Sequence, residues 1–173
     1  VAVIDIGKTN AKVALVDLMS ASEVLVRKTA NKVLAGPPYP HFDCAGLFEF
    51  VLESLGDINR IQPIEAISVT THGATAALVA ADGSLALPVL DYEYNRPDRL
   101  GEEYGRLRPT FAESGSPRLP GGLNLGAQIY WQARAFPEAF AQTRHILTYP
   151  QYWSYLLTGK VASEVTSLGS HTD

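Results

Sequence analysis

The chain has 173 residues, with 18 acidic and 14 basic side chains and a formal net charge of −4. Apolar residues make up 46%, no basic run or stripe occurs, and the only cysteine is Cys44; nucleic-acid binding by charge and a disulfide scaffold are both excluded. The most apolar stretch, 74–90, is broken by Asp82, Gly83 and Pro88 and is too short to span a bilayer, and no signal peptide is visible, so the cytoplasm is the default compartment.

The elements follow in chain order. Residues 1–6 form a nearly continuous apolar run, the pattern of a buried strand. Gly7-Lys8-Thr9-Asn10 is a turn, and residues 12–17 form a second strand. A weaker strand over 20–28 completes an antiparallel meander. The proline-rich stretch 29–40 is a loop. Leu47, Phe48, Val51, Leu52 and Leu55 recur at helical spacing over 42–58, with Asp43 as the candidate N-cap. Residues 64–71 form another buried strand. Asp82-Gly83 separates the apolar runs 76–81 and 85–90, a strong hairpin signal. Helices are expected over 99–107, 125–136 and, more briefly, 138–144, with a loop over 110–123. A short strand, 145–148, precedes a helix over 151–157, which Gly159 closes. The order predicts an α/β domain with a mixed sheet whose first three strands are antiparallel, flanked by helices. Because Val1 already lies inside a strand and the chain stops after a polar run, the sequence reads as a fragment.

Two clusters carry chemistry. The first is Asp5-Ile-Gly7-Lys8-Thr9-Asn10-Ala-Lys12. A P-loop is a poor fit, since position 2 is Ala where that motif needs glycine, and a strand follows where a helix is needed. A phosphate-binding hairpin fits better. Its glycine lets backbone N–H groups approach a phosphate, Thr9 and Asn10 add donors, Lys8 and Lys12 add charge, and Asp5 holds Mg²⁺ through water. Actin-like ATPases use this strand–turn–strand arrangement; a plain hairpin with Asp5 as a turn residue is the bland alternative. The second cluster is Thr70-Thr71-His72-Gly73 with Asp91-Tyr92-Glu93-Tyr94-Asn95-Arg96. Polar groups at the carboxyl end of a buried strand are a common ligand position in α/β sheets. Acids, an amide, aromatics and an Arg together suit a hydroxyl-rich ligand. The bland alternatives are a histidine satisfied within its loop and a solvated polar loop.

Taken together, these pieces resemble the N-terminal domain of the FGGY-family carbohydrate kinases. Asp5–Lys12 is similar to the family's first phosphate motif, and Thr71-His72-Gly73 to the sugar-contact turn of its rhamnulose and xylulose kinases. Leu87-Pro88-Val89-Leu90-Asp91 through Arg96 resembles the strand and loop that follow. Tyr130-Trp131, Phe136-Pro137-Glu138, Gln151-Tyr152-Trp153 and Leu156-Leu157-Thr158-Gly159-Lys160 keep the family's rhythm. The resemblance covers essentially the whole chain. It implies a ribonuclease H-like (actin-like ATPase) fold, with residues 1–173 an incomplete sugar- and phosphate-contacting domain and the ATP-binding domain elsewhere. It implies transfer of the γ-phosphoryl of ATP, with Mg²⁺, to a hydroxyl of a ketose or related sugar or polyol. Asp5, Gly7, Lys8, Thr9, Asn10 and Lys12 would serve the nucleotide and its metal. His72, Gly73, Asp91, Glu93, Arg96, Asn124 and Gln128 would serve the sugar. The general base would lie beyond Asp173, so this chain alone would be inactive. A non-catalytic sugar sensor and a different actin-fold ATPase stay open as alternatives, as does a homodimer.

Overall fold

Strand β1 (Ala2–Ile6) is antiparallel to β2 (Asn10–Asp17), with Asp5 opposite Lys12. β2 is in turn antiparallel to β3 (Ser22–Ala30). After β4 (Val33–Leu34) and β5 (His41–Phe42) comes helix α1 (Cys44–Ile61). β6 (Ile67–Thr71) then returns beside β1 in parallel, giving a four-stranded sheet of order β3-β2-β1-β6. This is the mixed sheet expected from the sequence, with its first three strands antiparallel. The structure is a computed structural model and describes residues 1–173 apart from the side chains of Ser170 and His171.

Alternation gives this sheet two unlike faces. Ala2, Ile4 and Ile6 of β1 and Ala11, Val13 and Leu15 of β2 point one way and are buried. Helix α1 packs across β2 and β3 and buries Leu47, Val51, Leu55 and Ile58 along one stripe. Each such side chain contributes about 1.5–3 kcal/mol on burial, so Val51→Ala would open a cavity at the centre of this layer. Asp43 caps α1 as expected, its side chain accepting from the Gly46 N–H at 3.0 Å. On the opposite face, register aligns Asp5 with Lys12 and Thr70.

A second sheet, of order β8-β7-β9, is wholly antiparallel: β7 (Ala76–Ala80), β8 (Leu85–Leu87) and β9 (Thr143–Thr148). Asp82 shapes the β7–β8 turn by accepting from the N–H and hydroxyl of Ser84. A 3₁₀ turn (Arg96–Leu100) runs into α2 (Gly101–Gly105), where one helix over 99–107 was expected. Pro97 at the start of that turn is compatible with a 3₁₀ entry, and no apolar stripe continues past residue 105 to sustain a longer helix. α3 (Phe111–Ser114) is a single capped turn inside the expected loop. α4 (Leu125–Ala135), α5 (Pro137–Phe140) and α6 (Tyr149–Thr158) follow. Gly159, at φ 68°, closes α6 in the left-handed conformation the sequence predicts. α7 (Val165–His171) was not expected; Glu164 caps it by accepting from the Thr166 and Ser167 N–H groups.

Contacts divide the chain into two units. The first is Val1–Leu34 with Phe42–His72, and the second is Ala35–His41 with Gly73–Asp173. The second has its own core of Tyr39, Leu78, Leu87, Leu90 and Trp131. Trp153 is fully buried, edge-on to Tyr149 and Tyr152.

Candidate functional site

In the first unit, the parallel pairing of β1 and β6 decides what meets. Ile6 lies opposite Thr71, and the His72 N–H extends the ladder to the Ile6 carbonyl at 2.9 Å. Gly7 and His72 therefore leave the sheet side by side, at the carboxyl ends of neighbouring strands. The turn is tight: the Gly7 N–H donates to the Asn10 carbonyl at 2.9 Å. A Cβ at Gly7 would come within 3.1 Å of that same oxygen, so the turn favours a bare backbone there. Thr9 Oγ1 accepts from Asn10 Nδ2 at 3.0 Å.

Asn31, which sequence reasoning passed over, holds this turn from behind. Its Nδ2 donates to the Gly7 carbonyl at 2.8 Å and its backbone N–H to the Thr9 carbonyl at 2.9 Å. Its Oδ1 is buried and has no hydrogen-bond partner among the described residues. The only sequence signal was an Asn two residues past Thr29 in a loop, and its partner lies 24 residues away.

The charged residues of this cluster have separate settings. Asp5 sits at the end of β1, partly exposed, with Lys12 and Thr70 as its lateral neighbours. Lys12 Nζ lies 2.8 Å from Glu23 Oε1. That hydrogen bond raises the Lys12 pKa, with the Glu23 and Asp5 charges adding to it against a desolvation penalty. The same bond, then the Lys12 charge, lowers Glu23. Lys12 is thus tied to β3, while its charge still bears on Asp5. The Lys8 ammonium lies 5.1 Å over the ring of Phe42, which also meets the His72 ring.

The second unit gathers a different set. Gln128, 2% exposed on α4, donates from Nε2 to the Ala74 carbonyl at 2.6 Å and also to that of Gly122. A Cβ at Gly122 would stand 2.9 Å from the Tyr92 carbonyl oxygen, so glycine is what lets this loop close on the Asp91–Glu93 loop. Gln128 thereby draws the Gly73–Ala74 turn and both loops to the start of α4. Asn124, also 2% exposed, accepts from the Leu119 N–H at 2.8 Å and donates to the Pro117 carbonyl at 3.2 Å. Both amides are committed to backbone, so they shape the loops around them. Asp91, 8% exposed, accepts from the Glu93 and Tyr94 N–H groups and turns its own loop, leaving Glu93 exposed. Arg96 stands apart from this gathering and lines a cleft with Arg99 and Trp131.

No family model matches the chain. The carbohydrate kinase from Novosphingobium aromaticivorans superimposes with a TM-score of 0.90 at 37% identity, over 99% of this chain and 37% of that one. The chain is related to the carbohydrate kinases. A rhamnulokinase of Pectobacterium carotovorum subsp. carotovorum (strain PC1) is 24% identical over 95% of this chain and 34% of its own length. The gluconate kinase from Lactobacillus acidophilus shares the fold at a TM-score of 0.81 and 19% identity, over 98% of this chain and 36% of that one. The fold is accordingly the ribonuclease H-like one of actin-like ATPases. The chain spans about a third of the length of the kinases it matches. Among the described residues, no helix is long and apolar enough to cross a membrane.

Proposed function

We propose that this chain is the sugar- and phosphate-contacting part of an ATP-dependent carbohydrate kinase that phosphorylates a hydroxyl of a ketose or related sugar or polyol. The observation that carries the reading is the parallel β1–β6 register, which sets the Asp5–Asn10 turn beside His72 in a chain that matches a carbohydrate kinase at 37% identity. One strand end then offers a carboxylate and a close-approach turn, and its neighbour offers an imidazole able to donate and accept toward a hydroxyl.

The residues fit MgATP. The Gly7 turn takes no side chain without a shift of its neighbours, which suits contact between backbone and phosphate. A single carboxylate, Asp5, suits a Mg²⁺ that keeps most of its water. When bound, the metal would neutralise charge on the phosphates. This chain's own part is to fix the turn through Asn31, hold Asp5 opposite Lys12, and present Lys8 and His72. In the second unit, Gly73, Asp91 and Glu93 are the proposed sugar-side residues, with Gln128 and Asn124 shaping their loops. Phosphoryl transfer depends almost wholly on positioning and charge stabilisation, so these are the functions such a half-site performs.

The test is ADP release by the full-length protein with MgATP across ketoses, aldoses and polyols. Release that depends on one sugar supports the proposal. Sugar binding without release overturns it in favour of a sensor, and steady release without sugar overturns it in favour of another actin-fold ATPase.

A further inference from the structure

An open cleft of about 370 Å³ lies in the second unit, lined by Tyr94, Arg96, Arg99, Leu100, Trp131 and Arg134 together with Ala135. Its cations differ in kind. Arg134 is occupied: it donates to Glu103 Oε1 at 2.5 Å and to the Tyr130 hydroxyl, over whose ring it lies. Arg96 and Arg99 have no hydrogen-bond or ion-pair partner among the described residues. Of the nearby acids, Asp98 accepts from the Gly121 N–H, and Glu103 is bound by Arg134 and Tyr130. Arg96 and Arg99 are three residues apart in one 3₁₀ turn, where residues at that spacing eclipse each other on a single face. Two unspent guanidinium forks therefore arise from one face of the turn and line the same cleft. The floor is aromatic: Trp131, 9% exposed, meets Tyr94 edge-on at 5.7 Å between ring centroids.

We infer that this cleft binds a small organic phosphate, with its phosphate on Arg96 and Arg99 and a flat or apolar body against Trp131 and Tyr94. One carboxylate is satisfied by a single bidentate guanidinium, whereas a phosphomonoester offers three terminal oxygens to two forks. The site is separate from the sugar-side set within the same unit. Gln128, which ties the Ala74 turn, is in the first half of α4, and Arg134 lies about 9 Å further along its axis.

The test is quenching of tryptophan fluorescence in the full-length protein. Trp131 lines the cleft and Trp153 is fully buried, so the part of the quenching that Trp131→Phe removes reports on the cleft. Phenyl phosphate is the probe, with phenol and inorganic phosphate as its separate halves. Saturable quenching by phenyl phosphate is expected, with half-saturation on the order of 1 mM or below, and with little effect of phenol at the same concentration. Arg99→Gln removes one fork from an exposed, unpaired position, so it folds normally, and it weakens binding by about tenfold or more. Trp131→Phe removes the part of the quenching that saturates with phenyl phosphate. The inference is overturned if phenyl phosphate does not quench saturably, or if Arg99→Gln binds it as wild type does. Binding of poly-glutamate without binding of phenyl phosphate overturns it too and reassigns the cleft to an acidic protein segment. Competition by MgATP overturns it as well, by making the cleft part of the nucleotide site.

Discussion

The ring of Phe42 lies 4.9 Å from the imidazole of His72 at an interplanar angle of 41°, and Phe42 is itself 2% exposed. With the Lys8 ammonium 5.1 Å over the same ring, one buried aromatic braces residues from both candidate ligand turns of the first unit. A cation–π contact of this kind is worth about 0.5–2 kcal/mol. Phe42→Leu keeps the apolar volume and removes the π face. In the full-length protein, the KM values for sugar and for ATP should rise together. A loss of thermal stability with both KM values unchanged would reduce Phe42 to core filling.

Asp5 and His72 should separate by readout. Asp5→Ala should cut Mg²⁺-dependent turnover by about a hundredfold or more, the scale of losing a preorganised electrostatic group, while sugar affinity by calorimetry changes little. An equal loss of both would end the metal role assigned to Asp5.

His72→Ala should weaken sugar binding by about tenfold, on the scale of one hydrogen bond lost to a buried polar partner, and leave the ATP Kd alone. Unchanged sugar affinity would return His72 to a purely structural place beside Phe42.

The Lys12–Glu23 pair makes a prediction with a defined sign. Lys12 donates to Glu23 and so lowers its carboxyl pKa below the ordinary value. The stabilisation linked to Glu23 is therefore present above the unfolded carboxyl pKa and is lost as pH falls through the folded one. The Lys12 pKa is raised mainly by the same bond, so its share is complete below the unfolded lysine value and is lost as pH rises through the folded one. NMR titration of the Glu23 carboxyl should give a midpoint below that of an isolated glutamate. In Lys12→Met the midpoint should rise toward the ordinary value, with the Lys28 charge still holding it down.

Tyr39 tests the second unit by itself. Its hydroxyl donates to the Pro88 carbonyl at 2.8 Å and accepts from Gln132 Nε2 at 2.7 Å. Burial pushes the phenol pKa well above the ordinary tyrosine range. Tyr39→Phe keeps the packing on Trp131 and Phe136 but strands the Gln132 amide, so urea unfolding should show a loss of about 1–3 kcal/mol. A loss well below that range would mean that Gln132 finds another partner.

Much of the molecule is legible in local pattern. The apolar run ending at Ile6 and the stripe from Leu47 to Ile58 state their elements because burial on one face imposes a period. Asp43, Asp82 and Gly159 mark a cap, a turn and a stop through interactions with backbone only a few residues away. Helix α7 escaped because none of its described side chains is buried. Tertiary structure decided the rest. Asn31 reaches Gly7 across 24 residues because the β2–β3 register brings it there, and Gln128 reaches Ala74 across 54. The parallel return of β6 beside β1, rather than any feature of either motif, sets His72 next to the Asp5–Asn10 turn. Composition and period record which side of an element meets the core; only chain crossing decides which distant side chains share a site.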